Sequence, residues 1–198
     1  MINSLGQRFV DEGEDLGGLT YAKTGRAILG QPGAIAYQIF DAKTIHLLEE
    51  RYSTGTPVVS ETIAGLAEGL GLPVAEVIRT IDAYNTAVQP GNFDSTKKDG
   101  KCTVGLDPAK SNWATLLDSP PYTSYPVSCG ITFTYGGVQI DSDARVIDTE
   151  DNPIPGLFAT GEITGDFFYH NYPGGSGLMR GAVFGRIAGT NAAELANT

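Results

Sequence analysis

Hydrophobic and polar positions alternate along this chain with two periods, and the switches between them mark its elements. Residues 2–10, INSLGQRFV, read as strand, turn and strand, with Ser4 to Gln7 as the turn. Tyr37-Gln38-Ile39-Phe40 alternates up to Asp41 and predicts another strand. From Asp41 to Tyr52, the side carrying Ile45, Leu47 and Leu48 predicts a helix. Ser60 is placed to cap the next helix, which carries Ile63, Leu66, Ala67 and Leu70 and stops at Gly71. Pro73 can open a third, with Val74, Val77, Ile78, Ile81 and Tyr84 on one face as far as about Val88. Gln89 to Asp107 is polar and predicts an exposed loop. Pro120-Pro121-Tyr122 and Tyr125-Pro126 read as extended chain. Arg145 to Asp148 and Asn152 to Pro155 predict a hairpin turned at Asp151-Asn152. It leads into Leu157-Phe158-Ala159-Thr160, an apolar run of buried-strand type that stops at Gly161-Glu162.

The last pattern carries chemistry. After Thr160 comes a loop of aromatics and glycines with His170, Asn171, Tyr172 and Pro173, and Gly174-Gly175-Ser176-Gly177 opens a helix from about Leu178 to Leu195. A strand, a Gly-rich turn and a helix start form a site for an electron-rich group, because free N–H groups and the positive end of the helix dipole point at it. Gly177, Gly181, Gly185 and Gly189 recur every four residues within that helix. A helical glycine costs about 1 kcal/mol relative to alanine, so four on one face imply close backbone approach. Two partners fit: a packed sheet, or a flat cofactor ring.

Composition narrows the classes. The chain has 198 residues, 41% of them hydrophobic, enough for one core or a domain with part of another. Thirteen basic and 23 acidic residues give a formal net charge of −10. That argues against nucleic acid or an anionic membrane as partner, while a local pocket can still oppose the global sign. Cys102 and Cys129 lie far apart and match no metal spacing, so free thiols in a reducing compartment are expected. His46 has no second ligand suggested near it, and no metal is expected. No apolar run reaches the roughly 20 residues of a membrane span, and MINSLGQRFVDEG lacks a signal-peptide core. The expectation is a cytoplasmic protein.

Gly156-Leu157-Phe158-Ala159-Thr160-Gly161-Glu162, Gly174-Gly175-Ser176-Gly177-Leu178 and Phe184-Gly185-Arg186-Ile187-Ala188-Gly189 carry a resemblance. Together they resemble the C-terminal FAD-binding segment of the fumarate reductase/succinate dehydrogenase flavoprotein superfamily, with a GLYAAGE-like strand, a GGNAL-like turn and a helix ending FGRIAG. The HNYPGGSGL wording is most similar to tricarballylate dehydrogenase-like FAD-dependent oxidoreductases. LAEGLGLPVAEVIRTIDAYN resembles the helix pair of that superfamily's cap domain. The resemblance implies an α+β protein: a cap domain over 1–125, then over 126–198 the C-terminal strand–loop–helix segment of an FAD-binding, Rossmann-like domain. The usual N-terminal dinucleotide half, with GxGxxG after a first strand, has no counterpart here. Leu157 to Thr160 is then expected as a parallel strand whose sheet partners are missing, and the missing half is expected as another chain or through homo-oligomerisation.

What the resemblance implies for the site follows residue by residue. FAD is the implied cofactor. Glu162 would hold ribose or ribityl hydroxyls, with Gly161 beside it. Gly174, Gly175, Ser176, Gly177 and Leu178 would face the flavin N1–C2=O edge, which becomes negative on reduction. The implied reaction is hydride transfer between flavin and a carbon next to a carbonyl or carboxylate of a small molecule. Two family positions differ: Tyr172 stands where fumarate reductases have an arginine, and Phe133 where they have a substrate-binding histidine. The catalytic arginine expected after the first hairpin is also missing from Gly13 to Gly18. Fumarate is therefore not the expected substrate. His170, Tyr172 and Tyr135 become the candidates for acid/base or carbonyl-polarising roles, Arg26 for a carboxylate clamp, and Thr134, Phe133 and Asn171 for substrate contact. Two other readings stay open: a cofactor-free binding or assembly protein reusing the cap scaffold, and a non-redox enzyme using His170 and Tyr172.

Overall fold

Four short strands carry the first part of the chain: β1 (Ile2–Asn3), β2 (Ile35–Phe40), β3 (Val58–Ser60) and β4 (Tyr122–Ser128). They pair antiparallel in the order β1-β2-β4-β3, with Ile35 opposite Ser128 and Val59 opposite Thr123. The computed structural model describes residues 1–131 and 133–197. The chain divides into two units, Met1–Gly17 with Thr24–Cys129 and Gly18–Lys23 with Gly130–Thr198. Helix α1 (Gly17–Leu29) contributes residues to both.

The core of the first unit follows the apolar periodicity. Helices α2 (Ile63–Gly69) and α3 (Val74–Ala87) bury Ala67, Val77 and Ile81 against Ile2 and Leu72, with Tyr37 and Ile39 of the sheet beside them. Thr62, not Ser60, caps α2: its hydroxyl accepts the Gly65 N–H at 3.0 Å, while Ser60 closes β3. Pro73 takes the cap position of α3, one residue before the helix proper.

Two predicted elements do not form. Residues 41–52 are not a helix but two single 3-10 turns, Ile45–Leu47 and Glu50–Tyr52. The reason is Asp41. Its fully buried carboxylate accepts the Lys43 N–H at 3.1 Å and the Thr44 hydroxyl at 3.1 Å, and reaches the Asp118 and Ser119 amides at 3.4 and 3.3 Å. A short acceptor bonding its own following amides competes with helix formation. Residues 8–10 form no strand either. Asn3 closes the turn by accepting the Leu5 and Gln7 amides, and Arg8 then bonds Pro108 O and Glu12. Asp41→Ala is expected to cost about 3 kcal/mol, because it removes a fully buried acceptor that serves several part-buried donors at once. Urea unfolding of the two proteins measures it, and an unchanged midpoint would contradict this account.

In the second unit, β5 (Arg145–Ile147) and β6 (Pro153–Phe158) make the expected hairpin, with a bulge between Arg145 and Ile147. The Asp148 carboxylate accepts the Glu150 and Asn152 amides, and Asp151 takes φ +63° in the turn. The run expected as a buried parallel strand differs. The strand ends at Phe158, most of its residues are exposed, and its partner β5 is antiparallel. The parallel pairing lies at the Val138–Thr164 bridge instead. The C-terminal helix α4 (Ser176–Ala196) matches its pattern to within two residues. Among the described residues, no helix is long and apolar enough to cross a membrane.

Candidate functional site

Gly161, at φ +78°, turns the chain out of the strand end into one 3-10 turn, Gly161–Ile163. Both the Thr164 N–H and its hydroxyl close that turn on Gly161 O, at 3.1 and 2.7 Å. Glu162 stands exposed on it, and its Oε1 accepts the backbone N–H of Thr134 at 2.9 Å and the Thr134 hydroxyl at 3.1 Å. Behind this contact two backbones touch. Val138 N–H reaches Ile163 O at 2.8 Å and Gly165 N–H reaches Val138 O at 2.9 Å. Only glycine at 137 and 165 allows that spacing, since a Cβ on Gly137 would lie 2.1 Å from Ile163 O.

The turn into α4 is built the same way. Gly175 adopts φ +86° and has no side chain with which to cap the helix. The orphan Gly177 N–H is taken by the Tyr172 hydroxyl at 3.0 Å, so a tyrosine five residues upstream serves as the cap. Gly174 N–H donates to Gly18 O at 2.8 Å, and Asn171 Nδ2 donates to Leu19 O at 2.8 Å, tying the loop to the start of α1. The Asn171 Oδ1 atom is buried without a partner. Of the glycine stripe, Gly181 and Gly185 face the segment at Thr160 and Gly161, Gly177 faces the rings of Tyr172 and Phe133, and Gly189 has nothing within 4 Å.

Four rings assemble beside the helix start. Phe133 stacks on Tyr172 at 4.8 Å and 30°, Phe168 meets Tyr172 edge-on at 4.9 Å, and Tyr135 lies 5.8 Å from Phe168. Burial, with Tyr172 adding to it, holds the Tyr135 hydroxyl above the ordinary phenol value, so it keeps its proton and can donate at neutral pH. Arg180 completes the cluster. It is 5% exposed, its guanidinium carbon lies 5.0 to 5.2 Å from the ring centres of Phe133, Phe167 and Phe168, and Nη1 donates to Thr164 O at 2.8 Å. The positive end of the α4 dipole and a buried cation both border this ring cluster, a chemistry that suits an electron-rich group.

The residues singled out by the sequence separate in space. Glu162, Gly161, Thr134, Phe133, Tyr135, Asn171, Tyr172, Gly174 and Gly177 belong to the second unit and take part in the contacts just described, while Gly175 and Ser176 form the turn itself, Ser176 bonding Pro173 O. Leu178 points outward at 76% exposure. His170 is exposed at φ +64°, its ring 3.8 Å from that of Tyr169. Arg26 belongs to the first unit and is exposed on α1. Sequence reasoning missed Phe168 and Arg180. The signal for Arg180 was there: a charge three residues after Gly177, on the helix side whose small residues imply burial.

Comparison with known proteins gives the family. A family model described as an FAD binding domain matches residues 1–178. The probable fumarate reductase Ifc3 of Shewanella frigidimarina is 36% identical over 98% of this chain and 31% of its own length. The urocanate reductase of Eggerthella lenta is 33% identical, with the same two coverages. Among solved structures, the 3-ketosteroid delta1-dehydrogenase of Sterolibacterium denitrificans, in complex with 1,4-androstadiene-3,17-dione, aligns with a TM-score of 0.72 at 25% identity, over all of this chain and 38% of that one. The chain thus spans about a third of the length of the curated relatives it matches.

Proposed function

This chain belongs to the FAD binding domain family, within the fumarate reductase/succinate dehydrogenase flavoprotein superfamily, and we propose that it is part of an FAD-dependent oxidoreductase. The reaction is hydride transfer between flavin N5 and a substrate carbon next to a carbonyl or carboxylate. The match of residues 1–178 to the family carries this reading. The relatives support the substrate class, since they are named for fumarate, for urocanate and for a ketosteroid. When bound, FAD supplies the two-electron chemistry.

The chain's own residues bind, orient and move protons. Glu162, released from Thr134, accepts bonds from ribose or ribityl hydroxyls. The helix start at Gly174 to Leu178 would face the edge of the cofactor that gains negative charge, where the helix dipole favours it, with the Gly177 N–H freed from the Tyr172 hydroxyl. Phe133, Thr134 and Asn171 line the substrate. Tyr135 and Tyr172 donate a proton at a carbonyl oxygen or at the other carbon of the C=C bond, with His170 as the alternative acid. Residues 1–125 act as the cap and 126–198 as the FAD-binding segment, completed by a dinucleotide-binding half from elsewhere.

Titrating the purified chain with FAD tests the reading. The expected result is saturable quenching of flavin fluorescence and a flavin band near about 450 nm retained after desalting. A folded, colourless chain that takes up no FAD would leave the cofactor-free binding protein in its place.

A further inference from the structure

Among the described residues of the second unit, Arg180 is the charged side chain that is buried. Its one hydrogen bond goes from Nη1 to Thr164 O, while Nε and Nη2 are buried with no partner. Leaving two donors of a buried cation unpaired is costly, and the three phenylalanine faces around it offset that only in part. The two open donors are a matched pair. Nε–H and Nη2–H lie on one edge of the guanidinium and point the same way, the geometry that receives both oxygens of a carboxylate. Arg180 also stands in the first turn and a half of α4, where the helix dipole adds to its charge.

What surrounds the fork defines the rest of the ligand. Phe133 touches both the guanidinium and the Tyr172 ring, and so does Phe168. An acid group on Arg180 would therefore meet aromatic rings beside it. Among the described residues of the second unit, no other cation is buried to receive a second acid group. Arg145 is paired with Asp141 at 2.6 Å, and Lys23 and Arg186 are exposed. Phe167, at 40%, is the most exposed of the three rings on Arg180.

We propose that Arg180 is the substrate's carboxylate anchor, and that it selects monocarboxylates with a flat apolar body. The proposal rests on the flavin reading for its chemistry but not for its test. The chain, nitrogen-labelled, is titrated with 3-phenylpropionate, with its neutral amide and with succinate, following the Arg180 Nε–H resonance. Expected are a saturable downfield shift with 3-phenylpropionate, none with the amide, and about tenfold weaker binding of succinate. Arg180→Met should abolish binding while its melting temperature holds or rises, since an unsatisfied buried cation has been removed. Arg180→Lys, keeping charge without the fork, should bind at least about tenfold more weakly than the native chain.

Indifference of Arg180 to 3-phenylpropionate would overturn the assignment, as would succinate binding more tightly. So would an Arg180→Met protein that melts lower yet binds the acid normally, the behaviour of a purely structural cation. FAD uptake measured on the same samples separates the two readings. Normal uptake with no response to 3-phenylpropionate removes the anchor alone, and a response without uptake removes the flavin reading alone.

Discussion

Gly137→Ala is expected to lower the melting temperature by about 6–12 °C and to abolish FAD uptake. The new methyl would lie 2.1 Å from Ile163 O, 2.7 Å from Ile163 C and 2.8 Å from Gly165 N. All three are backbone atoms, so no rotamer change relieves the overlap. Either the Val138–Thr164 bridge opens, or the turn carrying Glu162 moves away from residues 134–138. Overpacking of this kind costs up to about 3 kcal/mol, and for a chain of this size each kcal/mol is worth about 2–4 °C. Calorimetry and FAD titration of the same sample check it. A melting temperature within one or two degrees of the native value would mean that the two backbones do not touch as described.

Gly177→Val is expected to do the opposite: to leave the fold nearly as stable and to remove FAD binding. A Cβ at this position would lie 2.7 Å from Tyr172 Oη and 3.0 Å from Phe133 Cε2. These are ends of side chains, and both rings can turn aside at a cost of order 1 kcal/mol. Replacing a helical glycine returns a few tenths of a kcal/mol of propensity, which partly offsets that cost. The site does not recover, because the Tyr172 hydroxyl is pushed off the Gly177 N–H and the space beside the helix start is filled. Thermal melts and fluorescence quenching by FAD measure the two halves of the prediction. Native FAD affinity in a folded Gly177→Val protein would take the start of α4 out of the cofactor site.

Periodicity and end signals were enough where an element is held by its own pattern. Helices α3 and α4 and the Gly-rich turn were legible within a residue or two, because amphipathic spacing, a leading proline and paired glycines act over a few neighbours. Reading failed where a single side chain reaches across the chain. Asp41 bonds amides 77 and 78 residues away and so turns a helical-looking stretch into two short turns. The cap of α4 also escapes the local rules: Tyr172 reaches forward five residues to an amide that those rules would give to a Ser or Asp next to it.

By itself, the sequence determined the family resemblance, the existence of the strand–turn–helix at the end of the chain, and the residue types available around it. Only the tertiary structure decided which of them meet. It put Glu162 on Thr134, stacked Phe133 on Tyr172, and buried Arg180 among three phenylalanines with two donors open. The reason is physical: propensity and period act along a few residues, whereas burial and unmet hydrogen bonds depend on segments brought together from 12 or more residues apart.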